Sequence, residues 1–517
     1  MMRQKKFGRG SGVLCHITSL PSIFGIGDIG PQAHRFIALL AEADQCCWQF
    51  LPVGPCSRGL DMSPYMGLSA FAGNPMLISP ELLIKDGFLR PGDIEGFPDC
   101  SEYTVEFDKV VPAKRRLLRL AFSRTRPRLG GMEDFREFCR REEAWLEPYG
   151  LYMGLRERFQ GLAWNRWPQA LALADPREMA RLRGEMAEEL QYYRFEQFCF
   201  DSQWRRLRAY AARKGVLLIG DLPVYVSYDC ADVWTGRSCF RLDGATLLPT
   251  HVAGVPPDYF SATGQRWGNP LYRWQGGDGE TERDLFAWWA RRLRRNFDLA
   301  DVVRIDHFRG FESYWEIPAD EPTAVGGRWV PGPGMRFFAA MAEAIGDHPI
   351  IAEDLGVITP EVERLRDDLG FPGMKILQFA FDSDERNSYL PCNYATSNCV
   401  VYSGTHDNDT AVGWYLDHGV EERSKHRLRR YANSPGSEIH WDFIRLAMSS
   451  VADLAIFPVQ DVLGFGSDCR MNVPGTARGN WRWRCAPRFL YSDAFLRLRD
   501  ETNYYNRRPR PEGEGKQ

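Results

Sequence analysis

V-V-R-I-D, residues Val302 to Asp306, is a short β-branched run that ends in an acid, and P-I-I-A-E, Pro349 to Glu353, repeats the pattern further along. Runs of this length, rich in β-branched residues and closed by a charged or turn-forming residue, read as buried strands. Six more flank them: Gly12 to Ile17, Cys46 to Val53, Val216 to Leu222, Met374 to Phe381, Asn398 to Gly404 and Leu454 to Val459. Each is followed by Gly, Pro, Asn or Asp and then by a helical pattern. Eight strands alternating with helices predict an α/β fold, a (β/α)8 TIM barrel with a parallel sheet, rather than an open sheet.

The connecting segments support this reading. Pro31 opens a helix whose apolar stripe is Ala33, Phe36, Ile37 and Leu40, the spacing of a single helical face. Another starts at Thr359 (N-cap) and Pro360, turns Val362, Leu365 and Leu369 inward and stops at Gly370. The expected organisation is one catalytic barrel over residues 1–505, with long insertions after strands two and three. Residues 55–205 form a largely helical insertion that includes Met179 to Phe200. Residues 225–279, rich in Gly, Pro and aromatics, read as loops, and the polar tail 506–517 as frayed.

Composition narrows the class. Across 517 residues, 44% apolar and 26% charged is an ordinary globular balance that can bury a large core. The 65 Lys and Arg nearly cancel the 68 Asp and Glu, leaving −3, so the basic footprint of a nucleic-acid partner is missing. Arg291, Arg292, Arg294 and Arg295 read as the wet face of a helix, and most of the 16 Trp as core. None of the 13 Cys forms a C-x-x-C pair, which predicts free thiols in a reducing cytoplasm. No apolar stretch follows Arg3, Lys5 and Lys6, and no run is long enough to span a bilayer. The expectation is a soluble cytoplasmic protein without a membrane partner.

In such barrels the active site lies at the C-terminal ends of the strands. Asp221 ends strand three, Arg304 and Asp306 end strand four, and Glu353 ends strand five; His406 and Asp407 follow strand seven, Gln460 and Asp461 strand eight. Arg304 and Asp306, two apart on a strand, share a face. A guanidinium there favours the ionised carboxylate that a nucleophile needs. Glu353, on the neighbouring strand, would flank the same bond. A retaining glycosidase needs one ionised carboxylate and one acid of raised pKa about 5–5.5 Å apart. Asp407 is a third carboxylate, placed to hold substrate hydroxyls. Any one of these acids reads as easily as a helix cap or a surface ion pair; three acids, an Arg and a His gathered at strand ends do not. His406 is better suited to donating to a sugar hydroxyl than to binding a metal, and His307 reads equally as a buried, hydrogen-bonded ring.

Other chemistries fit less well. Gly25, Gly27 and Gly30 match G-x-G-x-x-G, but Thr18 to Phe24 separate them from the strand, and strand two ends in Leu51-Pro52-Val53-Gly54 with no acid. His16 stands alone where a zinc barrel would carry H-x-H, and Ser403 lies in no G-x-S-x-G elbow. Neither a cofactor nor a catalytic metal is expected.

The strings H-I-T-S-L-P-S with G-I-G-D-I-G (His16 to Gly30), W-Q-F-L-P-V-G-P (Trp48 to Pro55) and S-P-Y with S-A-F-A-G-N-P (Ser63 to Pro75) resemble the amylomaltases or disproportionating enzymes. These are 4-α-glucanotransferases of glycoside hydrolase family 77, in the α-amylase clan. The resemblance continues through G-D-L-P-V-Y-V (Gly220 to Val226), A-G-V-P-P-D-Y-F-S with G-Q-R-W-G-N-P-L-Y (Ala253 to Tyr272) and R-I-D-H-F-R-G-F (Arg304 to Phe311). It runs on through I-A-E-D-L-G (Ile351 to Gly356), G-T-H-D-N (Gly404 to Asn408), Q-D-V-L-G (Gln460 to Gly464) and R-M-N-V-P-G-T (Arg470 to Thr476). It implies Asp306 as nucleophile, Glu353 as general acid/base and Asp407 as the carboxylate that stabilises the transition state. Tyr65, Asp221, Arg304, His307, His406 and Asn472 would contact substrate, and Asp258, Tyr259 and Phe260 with Gln265 and Trp267 would form an acceptor-side lid. It also implies α-1,4-glucan donors and glucose or maltooligosaccharide acceptors. Spacing alone gives only a retaining glycosidase. An α-glucan hydrolase and a catalytically inactive glucan-binding barrel therefore stand as alternatives. Ile17 replaces a proline common after that histidine, and Ala245 to His251 depart from the usual pattern.

Overall fold

The computed structural model describes residues 8–257, 261–275 and 279–508. Twelve strands are present among them: β1 Gly10–Leu14, β2 Cys47–Gln49, β3 Leu217–Leu222, β4 His251–Val255, β5 Gln265–Pro270, β6 Val302–Ile305, β7 Ser313–Pro318, β8 Arg328–Pro331, β9 Ile350–Ala352, β10 Gly373–Ile376, β11 Cys399–Tyr402 and β12 Leu454–Pro458. Eight form one parallel sheet in the order β10-β11-β12-β1-β2-β3-β6-β9. Its two outer strands meet where the Ala352 N–H donates to the Pro372 carbonyl at 3.0 Å. The expected TIM barrel is thus the observed fold, and all eight of its strands fall within or beside the runs read from the sequence. They are mostly apolar because helices cover the outside and side chains fill the inside; Val400, Val401 and Tyr402 on β11 are fully buried.

The helices obey the same logic. Pro31–Glu42 buries Ala33, Phe36, Ile37 and Leu40, the four residues of its apolar stripe. Pro360–Asp368 buries Val362 and Leu365 after Thr359, although the Thr359 side chain makes no cap bond. Between β2 and β3 run the long helices Phe107–Leu129, Glu133–Arg158 and Ala187–Lys214. The helical stretch Met179 to Phe200 is covered by two helices, Pro176–Glu185 and Ala187–Lys214, with a break at Met186. Eleven of the 16 Trp are buried, so tryptophan is mainly core material here.

Three expectations need correction. Of the arginines on helix Gly279–Leu299, Arg291 and Arg294 are exposed but Arg292 and Arg295 are buried. The helix is wedged between the barrel and the helical insertion. Arg292 donates to the carbonyls of Pro223 (2.6 Å) and Val224 (3.1 Å). Arg295 donates to the Phe71 carbonyl at 3.1 Å and to Asp201 at 3.0 Å. Residues 225–279 are not loops alone: β4 and β5 lie there and join β7 and β8 in an antiparallel sheet ordered β5-β4-β7-β8. Gly254 disguises β4 as loop, yet it is required, since a Cβ there would meet the Gln265 carbonyl oxygen at 2.2 Å. Finally, the chain beyond Asn506 is anchored at first. Arg507 is fully buried and donates to the carbonyls of Met448 (2.8 Å), Gly10 (2.9 Å) and Ala447 (3.1 Å).

All 13 cysteines are free thiols. Among the described residues no helix is long and apolar enough to cross a membrane, and no group of three or more His, Cys, Asp and Glu is arranged to hold a metal ion.

Candidate active site

The parallel register sets the site. Ile305 on β6 is paired with Ala352 on β9, so the next residue on each strand, Asp306 and Glu353, emerges at the same end of two adjacent staves. The Glu353 N–H donates to the Ile305 carbonyl (3.1 Å), and the Asp306 N–H to that of Leu222 at the end of β3 (3.0 Å). Asp221 is opposite Arg304 in the β3–β6 pairing. One guanidinium nitrogen, Nη1 of Arg304, reaches three oxygens: Asp221 Oδ1 (2.7 Å), Asp221 Oδ2 (2.8 Å) and Asp306 Oδ1 (3.0 Å). Burial alone would lower the pKa of Arg304, but the charges of Asp221 and Asp306 outweigh it and hold the guanidinium well above its usual range.

The two strand-end acids occupy different environments. The Asp306 side chain is 29% exposed, open to the cleft. Glu353 is 8% exposed. Burial pushes its carboxyl up to about 8; Asp306 adds to the rise, while Arg304 and two backbone N–H groups oppose it. Those N–H groups belong to His307 (2.6 Å to Oε2) and Leu355 (2.9 Å to Oε1). His307 delivers its N–H from a left-handed conformation, φ 51°, which is uncommon for a residue with a Cβ and costs energy held by its surroundings. Burial lowers the His307 imidazole to about 4, so it is neutral near pH 7. One environment thus keeps a proton and the other faces solvent beside a cation, the division a two-carboxylate site requires.

A third group sits on the loop after β11. His406 Nε2 lies 2.8 Å from the Tyr65 hydroxyl and 3.3 Å from Asp407 Oδ2. The Tyr65 hydroxyl donates its single proton to Asp221 Oδ2 at 2.8 Å, so His406 Nε2 must carry the hydrogen of its own contact with Tyr65. The two rings stack with centroids 5.2 Å apart. Asn472 Nδ2 donates to Asp407 Oδ1 at 2.6 Å. The Asn472 N–H donates to the His406 carbonyl at 3.1 Å, so Tyr65, Asp221, Arg304, Asp306, His406, Asp407 and Asn472 form one hydrogen-bonded chain, with Glu353 and His307 on its flank.

The residues expected to form a lid are joined less directly. Gln265 and Trp267 both lie on β5, where Trp267 Nε1 donates to Gln265 Oε1 at 3.1 Å. The Trp267 ring meets His307 edge to face, centroids 5.0 Å apart, which brings the second sheet to the rim of the site. Asp258, Tyr259 and Phe260 lie outside the described residues. Two further contributors carry no signal in the sequence. Arg470 donates to the Asp407 carbonyl (2.6 Å) and to that of Asn472 (2.7 Å), tying the two loops together. Trp481 packs with its ring centroid 5.8 Å from Tyr65 and 6.0 Å from His406. Both stand in strings already quoted or adjoining them, but nothing local marks either as part of a site.

A family model described as 4-alpha-glucanotransferase matches residues 15–489. The 4-alpha-glucanotransferase of Synechocystis sp. is 49% identical over 97% of this chain and 98% of its own length. That of Thermus thermophilus is 47% identical over 95% and 97%. In three dimensions the amylomaltase from Streptococcus agalactiae in complex with acarbose superposes with a TM-score of 0.90 at 37% identity, covering 97% of this chain and 100% of that one. The amylomaltase from Corynebacterium glutamicum, at 18% identity, shares the fold with a TM-score of 0.73 over 96% of this chain and 75% of its own. With that family match over most of its length, and near-complete alignment to these relatives, the chain belongs to the 4-alpha-glucanotransferase family.

Proposed function

We propose that this protein transfers α-1,4-glucan segments from a maltodextrin donor to the 4-hydroxyl of glucose or a maltooligosaccharide acceptor, by a retaining double displacement. Asp306 attacks the anomeric carbon while Glu353 protonates the departing glycosidic oxygen, leaving a glucosyl ester on Asp306. The acceptor hydroxyl then gives its proton to Glu353 and its oxygen to the anomeric carbon, freeing Asp306. Asp407, held by Asn472 and His406, grips ring hydroxyls as positive charge grows in the oxocarbenium-like transition state. Tyr65, Asp221 and Arg304 orient the nucleophile and the sugar.

The observation that carries this reading is the contrast between two acids at the ends of adjacent strands: Asp306 open beside Arg304, Glu353 buried with its carboxyl pushed up to about 8. Transfer rather than hydrolysis follows family membership, and it has a physical route. Water outnumbers a millimolar acceptor by roughly four orders of magnitude, but a well-held acceptor reaches effective molarities of about 10⁵ M or more. An aromatic lid carrying Trp267, with Tyr259 and Phe260, would hold the acceptor and keep bulk water out.

Incubation with maltotriose tests the proposal. A ladder of longer and shorter oligomers is expected. Shortening alone would make the protein a hydrolase, and unchanged maltotriose a binding protein.

A further inference from the structure

We propose that Asp461 is a positioning residue for this transfer: its carboxylate ties down both ends of the loop that carries His406 and Asp407, and so sets where those two side chains stand. The proposal rests on the reading above, in which Asp407 and His406 hold the sugar during transfer.

Asp461 follows β12 on the short helix Val459–Val462 and is fully buried. Its Oδ2 accepts from the Ser403 hydroxyl at 2.6 Å, and its Oδ1 from the Ala411 N–H at 2.7 Å. Ser403 is the first residue after β11, and Ala411 is the first residue of helix Ala411–Leu416. Between these two anchors lie residues 404–410, the whole of the loop. One carboxylate therefore holds both roots of the segment.

The loop is stiff between its roots. Asn408 Oδ1 accepts from both the N–H and the hydroxyl of Thr405 (2.9 Å each). Asp409 Oδ2 accepts from the Ser467 hydroxyl at 2.7 Å. A segment braced in this way has little slack, so where its roots are held contributes to where His406 and Asp407 stand. Loss of the Asp461 contacts would move the grip on the sugar without removing any group that touches it.

A buried carboxylate is a costly way to fill this space, since taking the charge out of water is penalised. Burial pushes Asp461 up to about 6, with Asp409 adding to the rise and the Ala411 N–H and Ser403 hydroxyl opposing it. An apolar residue of similar volume would pack more cheaply. What it would lack is two acceptors in the right places.

The test compares kcat and KM on maltotriose for wild type, Asp461→Leu, Asp461→Asn and Ser403→Ala. Leucine keeps the volume and removes both acceptors. Misplacement of a catalytic group by about 1 Å costs on the order of 10²-fold, so kcat is expected to fall about 10²-fold for Asp461→Leu, with KM within about threefold of wild type. Asparagine can accept from the Ala411 N–H through its oxygen and donate to Ser403 Oγ through its nitrogen. Asp461→Asn should therefore recover most of the lost kcat. Ser403→Ala frees one root only and should lower kcat about 10-fold, each decade being about 1.4 kcal/mol of barrier. Wild-type kcat in folded Asp461→Leu, equal damage from leucine and asparagine, or a KM that rises in step with the loss of kcat would overturn the proposal. If Asp461→Leu does not fold, Ser403→Ala decides: kcat equal to wild type overturns it. Failure of the wild-type enzyme to act on maltotriose would instead strike the functional reading, and that control involves no change at Asp461.

Discussion

Glu353 offers the sharpest pH signature. Its carboxyl is pushed from an ordinary 4.5 to about 8, first by burial and then by Asp306. The acid form needed to protonate the leaving oxygen therefore persists through neutral pH and is lost as pH rises through about 8. The value of kcat/KM on maltotriose should accordingly fall along an alkaline limb centred near that pH. Glu353→Gln removes the titrating proton, so this limb should vanish while the rate drops by about 10²- to 10⁴-fold, the usual worth of a general acid. Stability should also decline as pH rises, over a lower range. A folded-state pKa above the unfolded one means the native protein binds the proton more tightly. The contribution of Glu353 to stability is therefore greatest below about 4.5, declines as pH rises and levels off above about 8. Glutamine carries no charge to bury, so Glu353→Gln should raise Tm, and by more at pH 9 than at pH 6. The assays are a pH–rate profile from pH 5 to 10 and thermal melts at the two pH values. A Glu353→Gln enzyme that keeps the same limb, or works within fivefold of wild type, would refute the assignment.

Arg304→Met should leave two carboxylates facing each other without their shared cation, costing about 3–5 kcal/mol in urea denaturation; a loss below 1 kcal/mol would show that Asp221 and Asp306 do not depend on it. Arg507→Ala deprives several buried carbonyls of their donor, each worth about 1–3 kcal/mol. It should lower Tm while leaving kcat at 25 °C unchanged, and an unaltered melt would mean that this anchor is dispensable. Trp267→Ser should raise glucose release relative to transfer on maltotriose, because it opens the rim beside His307. An unchanged ratio would remove Trp267 from the account of acceptor retention.

The barrel could be read from the sequence because its strands are short apolar runs with clear terminators, and a parallel strand covered on both faces leaves little else to read. The same regularity gave the positions of Asp306 and Glu353: each is the first residue beyond a strand, and parallel pairing carries both to one end. Arg292 and Arg295 were misread because helical spacing reveals one apolar face, whereas this helix is covered on two. Their charges are met by the carbonyls of Pro223, Val224 and Phe71 and by the Asp201 carboxylate, which no local pattern announces. β4 was hidden by Gly254, needed for close backbone approach and therefore silent in any apolar alternation. Arg470 and Asp461 show the same limit within the site. They act by holding a loop that starts far away in sequence, Arg470 through the Asp407 carbonyl and Asp461 through the Ser403 hydroxyl and the Ala411 N–H, and only the folded chain brings them there.

The most direct test of the carboxylate pair is to trap the glucosyl ester. In Glu353→Gln the base that activates the acceptor is missing, but an α-maltosyl fluoride donor needs little acid help. Fluoride leaves with the C1–F electron pair as an Asp306 oxygen bonds to C1. Mass spectrometry of the rapidly denatured, proteolysed variant should find the maltosyl adduct on the peptide containing Asp306. An adduct on any other residue, or none although the donor fluoride is consumed at C1, would contradict the account.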